Sequence, residues 1–96
     1  MSDRELYQQK LQAQLDQWKA EIDKLKAKAS AASADAQLEM NKHIAALESK
    51  LEDGKTKLAE LAEASEGAWE SVKEGAEASW RTMKSAVSDA MSRFNG

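Results

Sequence analysis

Residues 11–36 read LQAQLDQWKAEIDKLKAKASAASADA, and their apolar members fall at Leu11, Leu15, Trp18, Ile22, Leu25, Ala29, Ala32 and Ala36. The spacing alternates between four and three, which a helix of about 3.6 residues per turn converts into one narrow stripe. Two apolar positions in seven is the width of a coiled-coil seam, narrower than the face a helix shows in a globular monomer. The last three members are alanines, which let a neighbouring backbone come close. Residues 30–35 are small and weakly polar but hold neither glycine nor proline, so the helix is expected to run on through them; a turn there is the competing reading.

Upstream, Ser2-Asp3-Arg4-Glu5 is a capping box. The Ser2 hydroxyl is placed to accept from the Glu5 amide, with the Glu5 carboxylate reaching back. Downstream, Met40, Ile44, Leu47, Leu51, Leu58 and Leu61 carry the stripe onward. The steps from Ala36 to Met40 to Ile44 are both four, a slip of register that a continuous helix absorbs by locally unwinding its supercoil. Gly54, after Asp53, takes the next seam position and is a candidate helix stop, although one glycine costs a long helix only about 1 kcal/mol. The clearest boundary is at Ser65, an N-cap candidate followed by Glu66.

Beyond it the pattern changes. Leu58, Leu61, Ser65, Trp69, Val72, Ala76, Trp80, Met83, Val87, Met91 and Phe94 step by three, four and four. That eleven-residue repeat stays close to the natural helical period, so the stripe hardly drifts around the helix. The chain therefore divides into a heptad-like region, residues 1–65, and an amphipathic helix, residues 66–96, with Trp, Met, Val and Phe on one face. The opposite face carries Glu70, Lys73, Glu74, Glu77, Arg81, Lys84 and Asp89.

Composition agrees with helix. Among 96 residues there is no proline and no cysteine, and 32% are charged, the profile of long helices rather than sheets. Leu, Ile, Val and Phe together number only 14, few enough that the chain is expected to be elongated, oligomeric or partly unfolded when alone. Net charge is −3 with both signs interspersed, so the basic footprint of a nucleic-acid binder is missing. The charged start has no apolar signal segment, and no apolar run approaches membrane-spanning length, which makes a cytoplasmic location the expectation.

No catalytic set is expected. A triad would have to use His43 with Asp35, Glu39 or Glu48, and on a helix those groups lie in solvent. Met40, His43 and Glu39 share a helical neighbourhood but supply too few ligands for a metal. Glu70 and Glu74 are solvated charges near Lys73, and Asp53 with Lys57 and Glu77 with Arg81 read as helix-surface ion pairs. Gly67 and Gly75 lack the context of a phosphate-binding loop. No cofactor, metal or small-molecule substrate is expected.

The opening from Tyr7 through Trp18 to Lys26, with Glu66-Gly-Ala-Trp69-Glu-Ser-Val-Lys-Glu-Gly75 and Ala78-Ser-Trp80, resembles a family of small bacterial coiled-coil proteins. The resemblance implies a coiled-coil fold and no activity. The eleven-residue repeats are similar to those of apolipoproteins and late-embryogenesis-abundant proteins, which implies a lipid-surface or stress-responsive helix. The residues thus predict an elongated all-α protein, with one or two long helices to about residue 64 and a further helix to 95. Self-association is expected to bury Leu11, Leu15, Trp18, Ile22, Leu25, Ile44, Leu47, Leu51, Leu58, Leu61, Trp69, Val72, Trp80, Met83 and Val87, in an oligomeric coiled-coil bundle that is antiparallel or built on helical hairpins. A monomeric three-helix bundle with turns near Ser33 and Ser65 is the other architecture, and residues 66–95 lying on a membrane the other use of the last stripe.

Overall fold

A computed structural model describes residues 2–95, the last of them by its backbone. Three helices follow one another: α1, Asp3–Ala31; α2, Ala34–Glu63; and α3, Glu66–Asn95. They contain 29, 30 and 30 residues. At ~1.5 Å per residue each is about 45 Å long, which matches the 51 Å long axis of the molecule. One continuous helix would have been about three times that length. The radius of gyration of 15.4 Å exceeds the ~12–13 Å of a compact domain of this size, so the protein is elongated.

A serine starts each helix. The Ser2 Oγ accepts from the Glu5 amide at 3.2 Å, Ser33 from that of Ala36 at 3.4 Å and Ser65 from that of Ala68 at 3.3 Å. Each cap satisfies one of the amides that a helix start leaves without a partner. The Glu5 carboxylate accepts from the Ser2 hydroxyl at 3.3 Å.

The expectation that the helix runs through residues 30–35 is corrected. Ala32 and Ser33 are both extended, and α2 begins again at Ala34. The reason is tertiary. A continuous helix would keep its backbone bonds but leave both seams in water. Reversing the chain buries Leu11, Leu15, Trp18, Ile22 and Leu25 with Ile44, Leu47, Leu51 and Leu61, and each such side chain contributes about 1.5–3 kcal/mol. The register slip marks the place where one seam ends and the next begins: Ala32 is half-buried, Ala36 is exposed and Met40 is buried. Gly54 does not stop α2, which passes through it unbroken.

The core lies along the bundle axis and draws on all three helices. Trp18 and Trp80 meet in it, ring centroids 5.9 Å apart and tilted by 51°. A Cβ at Gly54 would stand 2.9 Å from Leu15 Cδ2 and 3.7 Å from the distal edge of the Trp80 ring. The glycine is a socket: the space its missing side chain leaves is taken by Leu15, while the Trp80 ring rests at ordinary van der Waals distance. Of the three interfaces, that between α1 and α3 is the loosest, bridged by long side chains.

Candidate functional site

All fifteen residues expected at a partner interface belong to this one core. Leu11, Leu15, Trp18, Ile22, Leu25, Ile44, Leu47, Leu51, Leu61, Trp80, Met83 and Val87 are buried; Leu58, Trp69 and Val72 are half-buried and pack against them. The eleven-residue stripe of α3 covers the heptad seams of α1 and α2 within the same chain, so the regions on either side of residue 65 share a single interior.

At one end of the bundle a latch joins the three helices. Arg4 of α1 donates through Nη2 to the carbonyl oxygens of Leu61, at 3.3 Å, and Ala64, at 2.7 Å. The Leu61 oxygen also accepts from the Ala64 amide at 3.3 Å, so the arginine adds a second donor there and supplies one to the Ala64 oxygen just past the helix. The last turn of α2 has no basic residue of its own, so the cation that favours a helix C-terminus arrives from another helix. The Arg4 guanidinium also lies 5.4 Å from the Trp69 ring centroid. Tyr7 meets Trp69 edge-on with centroids 5.7 Å apart, and the Lys73 ammonium sits over both rings, at 4.9 and 5.2 Å. Aromatic faces carry negative charge density, which holds both cations there. The Tyr7 hydroxyl donates to Glu77 Oε1 at 3.1 Å. Burial, that hydrogen bond and the charges of Glu77 and Glu70 push the phenol up to about 12. This corrects the expected pairing of Glu77 with Arg81, because the glutamate has turned to the tyrosine.

At the other end Glu39 is shared by His43, at 3.4 Å, and Arg93, at 3.7 Å. The His43 ring packs edge-on against Phe94, centroids 5.2 Å apart. Met40 is buried in the core while His43 is half-exposed, so the two point to different surroundings, and Glu48 is engaged by Lys26 at 2.8 Å. The hydrogen bond and charge of Glu48 hold the Lys26 ammonium above its ordinary value. Lys28 of α1 reaches the Phe94 carbonyl at 3.4 Å. The first helix thus sends one cation to the C-terminal carbonyls of each of the other two.

The outer surface pairs Lys55 with Glu52 and Lys57 with Glu60, both at 3.6 Å; the expected partner of Lys57 was Asp53. Among the described residues Leu6 and Leu38 are the large exposed apolar ones, far apart in sequence and ordinary as single cases. No helix among the described residues is long and apolar enough to cross a membrane. Sequence reasoning missed Arg4 and Tyr7 as contact residues. Tyr7 stands four positions before Leu11, one step up the same seam, and that spacing was the available signal.

Compared with known proteins, the chain matches no family model, no curated protein and no solved structure.

Proposed function

We propose that the protein is a non-catalytic, self-associating helical module of structural role, in which copies exchange helices across the link between α1 and α2. The supporting observation is that link. It consists of two residues, Ala32 and Ser33, both extended with negative φ, and neither is a glycine or proline that would hold the chain out of a helix. Apolar seams run up to it from both sides. If it straightens, α1 and α2 join end to end and part from one another, and a second copy supplies the same contacts that the bundle makes within one chain. The core residues then serve as the interface without any new surface.

The test is sedimentation and small-angle scattering over a range of concentrations. Joined α1 and α2 would extend roughly 90 Å, against the 51 Å of the bundle. A second species of doubled mass and that length is the expected result, suppressed when Gly-Gly-Ser is inserted after Ser33. A chain that stays monomeric throughout, or a dimer no longer than the bundle, refutes the proposal.

One observation favours a second reading, reversible attachment to a lipid surface. The indole N–H groups of Trp69 and Trp80 are buried with no acceptor, each a cost of about 1–3 kcal/mol. The water–lipid boundary offers acceptors to such rings, and along the chain only Ala64 and Ser65 separate α3 from α2. Emission shifts are a poor assay here, since Trp18 and Trp80 already sit in apolar surroundings. Quenching by anionic vesicles with brominated acyl chains is direct, and its absence removes this reading.

A further inference from the structure

We propose that the furrow between α1 and α3 binds a small amphiphilic anion, a phosphate or carboxylate carried on an apolar body. The furrow is an open groove of about 340 Å³, a volume in the range of sites that hold small ligands. It opens along the loosest of the three helix interfaces, next to the latch.

Its lining has two characters. Leu11, Tyr7 and the buried Trp80 give an apolar floor, while Lys10 from α1 and Arg81 and Lys84 from α3 stand at the rim. Among the described residues none of these three cations has an ion-pair or hydrogen-bond partner. Glu77 is the one carboxylate in the lining, and it already accepts from Tyr7. Three cations against one carboxylate leave the furrow at +2 on a chain of net charge −3. Unpaired cations beside a low-dielectric wall attract anions more strongly than the same charges in open water. Trp80 contributes ring surface to the floor, and its indole N–H is buried beneath without an acceptor, so that proton reports on a ligand lying over the ring rather than bonding to it. Gln14 completes the rim with an amide. An anion with an aromatic or short alkyl body would satisfy the cations and cover the floor together. Inorganic phosphate would satisfy only the first, and an apolar cation only the second. The inference does not depend on self-association, and it departs from the sequence reading, which assigned the chain no small molecule.

The experiment is a nuclear magnetic resonance titration of the intact protein with 1-naphthyl phosphate, inorganic phosphate and 1-naphthylmethylammonium, following the Trp80 indole N–H and the Leu11 methyl groups. The expected result is a saturable shift at both positions with 1-naphthyl phosphate. Inorganic phosphate is expected to bind at least about tenfold more weakly, and the cation not at all. Lys10→Gln, Arg81→Gln and Lys84→Gln each weaken binding by about three- to tenfold, and the triple variant abolishes it with helicity unchanged. Lys19→Gln with Lys42→Gln, which removes the same kind of charge elsewhere on the surface, leaves it intact. Equal affinity in the triple variant, equal binding of the cation, or shifts that map away from Trp80 and Leu11 would overturn the proposal. If only anionic vesicles and not the soluble anion perturb these signals, the furrow is not the site and the lipid reading stands on α3 alone.

Discussion

Replacing Gly54 with alanine sets two effects of similar size against each other, and the structure decides between them. Alanine in a helix interior is favoured over glycine by about 1 kcal/mol. The new methyl would lie 2.9 Å from Leu15 Cδ2, closer than carbon atoms tolerate, and Leu15 is 2% exposed with little room to retreat. Overpacking of that kind costs about 1–3 kcal/mol. Gly54→Ala is therefore expected to change stability by between zero and about 2 kcal/mol in the unfavourable direction, despite the better helix former. Leu15→Ala costs about 2–5 kcal/mol by itself, but it removes the obstacle. In that background Gly54→Ala should stabilise by about 1 kcal/mol. Urea unfolding of the four proteins, followed by far-ultraviolet circular dichroism, gives the coupling directly, and at least about 1 kcal/mol is expected between residues in contact. If Gly54→Ala stabilises equally with and without the leucine side chain, the socket does not exist and the packing of Trp80 needs another account.

Three further outcomes follow from the core and the latch. Trp80→Ala should cost about 3–5 kcal/mol and Trp69→Ala clearly less, because the first ring is 8% exposed and the second half-buried; urea midpoints in the reverse order would contradict the assigned burial. Arg4→Gln removes the cation from the end of α2 and from the face of Trp69, a loss of about 1–2 kcal/mol. Hydrogen exchange should report it as lost protection in the last turn of α2 with the middle of that helix unaffected. Tyr7 carries a phenol whose folded value, about 12, lies above its ordinary value of 10.0. The folded state holds that proton more tightly, so its contribution is complete below pH 10 and is lost as pH rises towards 12. Tyr7→Phe should flatten the fall in stability over that interval, and an unchanged alkaline profile would exclude the phenol as its source.

The apolar spacing made the interior legible. A stripe at steps of three and four is visible because burial requires it, whichever surface provides the cover; on α3 the stripe from Trp69 to Phe94 packs in or against the core, and the small Ala86 and Ala90 beside it, also in the packing, were not read. What covers it was not legible, since the same face suits another helix of the chain, another copy or a lipid layer. The turn at Ala32 and Ser33 was legible only as the competing reading, with a three-helix bundle as the other architecture, for a related reason: Ala-Ala-Ser-Ala is acceptable in a helix, and the decision comes from contacts between the two helices it joins. The slip after Ala36 was its one local trace. Gly54 carried a signal that propensity alone misreads, because a helical glycine at a seam position can serve a neighbour's volume. The partners of Arg4 lie 57 and 60 positions away, and Tyr7 and Glu77 pair across 70; neighbour rules along one helix do not reach that far.

The two long reaches from α1, Arg4 to the end of α2 and Lys28 to the end of α3, bear on how the molecule is made. Synthesis proceeds at about 5–20 residues per second, so 57 to 66 positions correspond to roughly 3–13 s between the appearance of each cation and that of its carbonyl. In the part of the longer interval that follows Glu63, a hairpin of the first two helices is free to close while the groove that takes the third stays empty on the ribosome. A nascent chain in that condition presents Leu11, Trp18 and Leu51 to whatever is nearby, including its twin on the next ribosome of the same message. If copies exchange helices as proposed, the pace of translation sets how long each hairpin waits with its groove open.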